Sequence, residues 1–138
     1  MKKVSSNLIF GIVFLAGILF ITDCKKQLNH ETGFLTGIIT IGPICPVQSI
    51  PPTPDCMPTA ETYKAYPVGV YSSGGTNKIA QISPALDGSF KTELAPGNYL
   101  VMLEPNQNRT GGSNLPLEVS VISSGETVLN INIDTGIR

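Results

Sequence analysis

The sequence has few charged residues and almost no histidine. Of its 138 residues 14% are charged, nine basic against ten acidic, and the formal net charge is −1. Without an excess of lysine and arginine the chain has little to neutralise a phosphate backbone, which argues against nucleic acid as a partner. The one histidine, His30, precedes the expected domain and offers that domain no general base for an activated nucleophile.

Helical periodicity is missing too. After residue 24 no stretch of helical length repeats its apolar residues every 3.6 positions or so. The 14 glycines and 11 prolines are instead typical of short strands joined by tight turns. The acids Glu93, Glu104 and Glu118 are scattered singly on outward positions, and no cluster has metal-ligand spacing. We therefore expect a protein that is not an enzyme and has no cofactor, metal or catalytic residue.

One tripeptide imitates a catalytic motif. Asp134-Thr135-Gly136 matches the aspartic-protease sequence, but such a site needs two of these loops and a flap. This chain has one, close to its last residue, so we interpret the match as chance.

The N-terminus has the pattern of an export signal. Lys2 and Lys3 precede an apolar stretch, Leu8 to Thr22, which is short for a helix that spans a bilayer. We predict that residues 1–23 are a signal peptide. The alternative is an uncleaved anchor helix, with lysines on both flanks.

The sequence "ITDC" resembles a bacterial lipobox, in which a cysteine is acylated and becomes the new N-terminus. Ile21 and Thr22 fit the lipobox, whereas Asp23 stands where that motif has a small residue. The resemblance implies lipidation at Cys24, a tether over residues 24–32, and a membrane-anchored lipoprotein in the bacterial cell envelope. The alternative is that Cys24 is a free or intermolecular thiol.

Three cysteines are an odd number for an exported protein. Cys45 and Cys56 lie in a proline-rich segment, too far apart in sequence for a CxxC redox pair or a zinc knuckle. An oxidising compartment favours a disulfide between them, which leaves Cys24 for the lipid. Closing this loop should stabilise the fold by about 3 kcal/mol.

Alternating apolar and polar residues predict seven strands. Asp87-Gly88 is a hairpin signal, Pro96-Gly97 predicts a second tight turn, and Asn106–Asn114 reads as a polar loop. The third strand is predicted only by its bounds, Lys78–Ile82. For the other six strands the residues that share one face are, in order, Leu35, Ile39 and Ile41; Val68 and Val70; Phe90, Thr92 and Leu94; Tyr99, Val101 and Leu103; Leu117, Val119 and Val121; and Leu129, Ile131 and Ile133.

The segment "DGSFKTELAPGNY" resembles the carboxypeptidase regulatory-like family, also called transthyretin-like or prealbumin-like domains. The matching positions are Asp87, Gly88, Phe90, Leu94, Pro96, Gly97 and Tyr99. The early "GPICPV" and the terminal "IDTGIR" are similar to a bacterial lipoprotein subgroup of that family. The resemblance covers residues 33–138 and implies one all-β domain there, a seven-stranded antiparallel Greek-key-type β-sandwich.

Every matched position has a structural explanation, so no catalytic residue is carried over. We expect a non-catalytic, lipid-anchored accessory or binding module that contacts a protein, peptide or glycan through its loops. The loops in question are Asn106–Asn114 and the proline-rich disulfide loop. The alternatives are a structural spacer without a ligand, or a small hydrolase with an unrecognised carboxylate site.

Overall fold

The structure, a computed structural model, describes residues 31–47, 49–105 and 111–138. The expected signal peptide, Cys24 and His30 lie outside these residues, as do positions 106–110 of the expected polar loop. Among the helices of the described part, none is long and apolar enough to cross a membrane.

The described residues form eight strands: β1 Gly33–Gly42, β2 Val68–Ser72, β3 Lys78–Ile82, β4 Ser89–Leu94, β5 Gly97–Leu103, β6 Leu117–Val121, β7 Glu126–Val128 and β8 Ile131–Asp134. They make two four-stranded sheets that face each other in a sandwich-like arrangement. In the first sheet a long strand, β1, lies between β4 on one side and β7 and β8 on the other. The second sheet has the order β3-β2-β5-β6, and all its strands are antiparallel to their neighbours.

The predicted alternation places the core where the two sheets meet. Along β1 the side chains of Leu35, Ile39 and Ile41 are buried, while Ile38 and Thr40 between them are exposed. The same face-by-face pattern buries residues of both sheets, because successive side chains of a strand point to opposite sides. The buried apolar residues are Leu35, Ile39, Ile41, Val68, Val70, Ile82, Phe90, Leu94, Val101, Val121, Ile131 and Ile133.

The predicted number of strands was wrong. We expected one seventh strand through Leu129, Ile131 and Ile133, but the chain forms two short strands there, β7 and β8. Both pair with β1, and the chain crosses from one to the other over Gly37. A Cβ at Gly37 would overlap the Leu129 carbonyl oxygen, so glycine is what allows this close crossing.

The fully antiparallel arrangement was also wrong. β7 and β8 run parallel to β1, so the first sheet is mixed. Apolar and polar residues alternate in the same way whichever direction a strand runs. After β6, in the second sheet, the chain had to cross to the first sheet and pair with the free side of β1. Direction was therefore set by the chain path and not by the pattern of side chains.

The Asp87-Gly88 turn does not close a hairpin. β3 pairs with β2 in one sheet, whereas β4 pairs with β1 in the other, so this turn carries the chain between sheets. The local prediction of a turn holds: Gly88 has a φ of +83°, and its N–H donates to the Ala85 carbonyl at 2.9 Å.

Candidate binding groove

A short helix that the sequence pattern did not predict, α1 (Ala60–Ala65), follows the disulfide loop. Thr59 Oγ1 accepts a hydrogen bond from the Thr62 N–H at 3.3 Å, and the Thr59 N–H donates to Thr62 Oγ1 at 3.0 Å. This reciprocal pair is a capping box and fixes where the helix begins. As a result Tyr63, in the middle of α1, packs against the edge of the hydrophobic core.

The loop before α1 carries exposed apolar side chains. Cys45 and Cys56 are joined by a disulfide, with their Cα atoms 5.4 Å apart. Ile50 is 99% exposed, Val47 is 85% exposed, and Met57, just after the loop, is 54% exposed. Several large apolar residues exposed on one segment are unusual for a surface without a partner.

Tyr63 and Leu86 separate two lobes of an apolar depression, which we call the Tyr63 groove. The loop lobe, about 300 Å³, lies between the second half of β1 and the disulfide loop. The β3 lobe, about 540 Å³, lies between α1 and the chain that leaves β3. Besides Tyr63 and Leu86, the loop lobe is lined by Ile38, Ile44, Pro52 and Met57, and the β3 lobe by Ala60, Pro67, Ile82 and Pro84.

Two polar groups lie at the junction of the lobes. Burial raises the pKa of the Tyr63 phenol, and the nearby negative charge of Asp87 raises it further. The pKa of Asp87 is lowered, because Ser89 donates to its Oδ1 from the hydroxyl at 2.6 Å and from the backbone N–H at 3.0 Å. At neutral pH the groove therefore presents a neutral phenol beside an ionised carboxylate.

The Tyr63 hydroxyl forms no hydrogen bond with the described residues. It lies beside Gly88, where an added Cβ would be 3.1 Å from the phenol oxygen. An unpaired donor set in an apolar depression is the arrangement that orients ligands in binding sites.

The second loop expected to bind, Asn106–Asn114, is tied down over the part that the structure describes. Gly112 and Asp134 exchange two backbone hydrogen bonds, of 3.2 and 2.8 Å. The Asn114 side chain accepts from the Asn132 N–H at 2.9 Å and donates to the Asn130 carbonyl at 3.2 Å. These residues close the free edge of β8, so their polar groups are already occupied.

A wide depression of about 790 Å³ beside this edge is lined by Thr40, Asn114, Asn132 and Asp134, among others. The Asp134 carboxylate accepts from the Gly136 N–H at 2.8 Å and forms an ion pair with Arg138 at 2.7 Å. The bonds from Arg138 and Gly136 lower the pKa of Asp134 to about 2. An aspartic-protease pair shares one proton between two carboxyls, whereas Asp134 shares its charge with a guanidinium.

Among the described residues no group of three or more histidine, cysteine, aspartate or glutamate side chains could hold a metal ion. Cys45 and Cys56, which the sequence singled out, are brought together; Cys24 lies outside the described residues.

The sequence patterns did not identify Tyr63 or Leu86 as candidate binding residues. A helix of six residues shows no repeat, and Leu86 looked like part of a turn. The local signal that could have found α1 is the pair of threonines three residues apart, Thr59 and Thr62, followed by Pro67 as a helix stop.

No protein-family model matches the chain, and no curated protein matches it either. Solved structures that are similar include a DUF3823 family protein from Parabacteroides merdae, 19% identical with a TM-score of 0.45, the match covering 76% of this chain and 47% of that one. A DUF3823 family protein from Bacteroides ovatus is 22% identical with a TM-score of 0.45, over 74% of this chain and 44% of that one.

A third similar structure is GBS52, the minor pilin of Streptococcus agalactiae. It is 14% identical with a TM-score of 0.48, and the match covers 76% of this chain and 45% of that one. The chain thus spans less than half the length of each of these three proteins.

Proposed function

We propose that this protein is a non-catalytic, lipid-anchored binding module of the bacterial cell envelope, and that it contacts its partner through the Tyr63 groove. The observation that carries the proposal is the combination of two apolar lobes with the Tyr63 hydroxyl between them, a group that bonds to none of the described residues. Binding sites are typically apolar depressions with a few polar groups that fix orientation.

The direction of β1 supports this role. Its first residues lie near the turn between β6 and β7, where Ser124 N–H donates to the Thr32 carbonyl at 2.9 Å. Its last residue, Gly42, leads into the disulfide loop, and ten residues of strand span roughly 30 Å. With a lipid at Cys24, the disulfide loop lies at the end of β1 away from the anchor.

The finer fold assignment is part of the same proposal. We infer that the sandwich is a Greek-key, prealbumin-like domain of the carboxypeptidase regulatory-like type, on the strength of the turn motif from Asp87 to Tyr99. In such domains a rigid sandwich carries loops that are free to vary, and loops on rigid scaffolds are where binding residues concentrate.

Site-specific photo-crosslinking in the producing bacterium tests the function. A photoreactive phenylalanine analogue is placed at Leu86 in the full chain, and at Val128 as the matched control, because both side chains are 70% exposed and apolar. We expect a discrete cross-linked adduct from position 86 and none from position 128.

The formation of the adduct must also depend on an intact groove. A second change in the same chain, Met57→Glu, should abolish cross-linking from position 86, because a charge in the loop lobe opposes an apolar contact. Adducts of equal yield from positions 86 and 128, or none from either, would overturn the proposed function.

A further inference from the structure

We infer that the Tyr63 groove binds a partner polypeptide in extended conformation, with a lysine or arginine flanked by apolar side chains. This inference rests on the proposed binding function and names the chemistry of the partner. Three features of the groove carry it: open backbone groups along one wall, two apolar lobes of side-chain size, and the Asp87 carboxylate in the loop lobe with further acids next to the lining in sequence.

The backbone wall follows the edge strand of the second sheet. β3 pairs with β2 on one side and has no strand on the other within the described part. Beyond β3, the backbone groups of Ser83, Pro84 and Leu86 form no hydrogen bonds with described residues, and only Ala85 is engaged, through Ser89 and Gly88. An exposed edge with open N–H and C=O groups is a template for an added strand.

The lobes give that added strand places for its side chains. They lie on either side of Tyr63 and Leu86, and both are lined mainly by aliphatic and proline residues. Main-chain pairing supplies affinity in strand addition, and side-chain depressions supply selectivity. The Tyr63 hydroxyl, between the lobes, is a donor for a backbone carbonyl of the incoming segment.

The charged residues at and near the groove indicate that the partner segment carries a positive charge. Asp87 lines the loop lobe and Lys64 lines the β3 lobe. Two further exposed acids, Asp55 and Glu61, directly adjoin in sequence the lining residues Cys56 and Ala60. Elsewhere in the described chain basic side chains already have carboxylate partners: Lys78 with Glu104 at 2.5 Å, Lys91 with Glu126 at 2.6 Å, and Arg138 with Asp134 at 2.7 Å.

Asp87 is the carboxylate placed to receive the cation. It lines the loop lobe, and both hydrogen bonds from Ser89 go to the same oxygen, Oδ1. Its lowered pKa keeps the group ionised at neutral pH. An opposite charge at this position adds selectivity and speeds association, whereas an acidic segment or an anionic lipid surface is repelled.

Selection from a linear random-peptide library tests the inference, with the full chain purified in mild detergent as bait. We expect the enriched peptides to share a lysine or arginine between apolar residues. Their affinity should fall about tenfold or more for Leu86→Glu, as when an anchor contact is lost, and stay unchanged for Val128→Glu.

The charge is tested separately. Asp87→Asn keeps the acceptor for Ser89, so it should fold normally, weaken the basic peptides severalfold and flatten the salt dependence of binding. Glu118→Gln is the control and should change neither, because Glu118 is an exposed acid on β6 with no ion pair to the residues that the structure describes.

Three results would overturn the inference: no enrichment, enriched peptides without a basic residue, or binding that is indifferent to Leu86→Glu. Leu86-dependent sedimentation with phosphatidylglycerol vesicles would also overturn it, in favour of a membrane surface. If the in-cell cross-link from position 86 persists in any of these cases, the binding function stands and only the basic, extended partner is rejected.

Discussion

At the scale of single residues, the carboxylates of this domain serve its turns and edges. Asp87 bonds to Ser89 within the turn that joins the two sheets, and Asp134 bonds to Gly136 and Arg138 just beyond β8. The tripeptide Asp134-Thr135-Gly136 is explained in the same way: Thr135 is buried, and its hydroxyl donates to the Pro43 carbonyl at 2.5 Å. The resemblance to a protease motif thus coincides with residues that fasten the C-terminus.

Removing the guanidinium should change how Asp134 titrates. Its pKa in the folded chain is about 2 against an ordinary value of 3.8, chiefly because Arg138 bonds to the charged form. We expect Arg138→Gln to move the midpoint upwards, as followed by the carboxyl ¹³C resonance in NMR. Because the folded pKa is depressed, the contribution of Asp134 to stability is complete above the unfolded pKa and is lost as the pH falls through about 2.

Lys91→Gln is the control, because the Lys91–Glu126 pair bridges β4 and β7 across the first half of β1, whereas Asp134 pairs with Gly42 at the end of β1. This substitution should leave the Asp134 midpoint where it was. An Asp134 midpoint that does not move in Arg138→Gln would mean that the ion pair does not govern its titration.

At the scale of secondary-structure elements, β1 organises the first sheet. Residues 34–36 pair with β7 and residues 39–42 pair with β8, so one long strand holds two short ones in line. Between them the Leu129 N–H donates to the Thr36 carbonyl at 2.8 Å, and the chain passes close over Gly37. The interruption of the seventh predicted strand therefore results from this close passage of the chain over Gly37.

A methyl group at the crossing should be costly. We expect Gly37→Ala to lower the free energy of unfolding by about 2 kcal/mol, since its Cβ would overlap the Leu129 carbonyl and nothing nearby can yield without moving backbone. Chemical denaturation followed by circular dichroism measures the change. Gly42→Ala, on the same strand with no atom within 4 Å of the added Cβ, should stay within about 0.5 kcal/mol of the parent. Equal effects of the two substitutions would contradict this account of Gly37.

At the scale of the whole molecule, the two ends of β1 contact different parts of the domain. The N-terminal end meets the turn after β6, and the C-terminal end meets the disulfide loop and the loop lobe. If the chain is anchored through Cys24, the anchor precedes the N-terminal end of β1 and the loop lobe lies beside the other half of the strand.

Intact-mass analysis of the protein from its own host tests the proposed anchoring. We expect a mature chain that begins at Cys24, carries a lipid, and has lost two hydrogens between Cys45 and Cys56. Cys24→Ser should prevent lipid attachment and leave the Cys45–Cys56 bond intact. An unmodified chain that begins at Met1 would overturn the proposed localisation.

The candidate groove could be predicted only in part from the sequence. The proline-rich disulfide loop was predicted as a contact surface, and it does carry exposed apolar residues. The lobes themselves needed the fold, because they bring together β1, the disulfide loop, α1 and the chain after β3, which are far apart in sequence. No pattern within a single segment indicates that these four segments come together.

By itself the sequence determined most of the buried side chains and that they lie on strands, although Thr92, Tyr99 and Leu117 on the predicted faces are only partly buried. Leu35, Val68, Val70 and Val101 all stand on the predicted inner faces, because alternation depends only on local backbone geometry. Tertiary structure alone decided that β7 and β8 run parallel to β1, that β3 and β4 lie in different sheets, and that Tyr63 and Leu86 meet across a groove. These are properties of the chain path, and the path is set by long-range packing that a period of two residues does not encode.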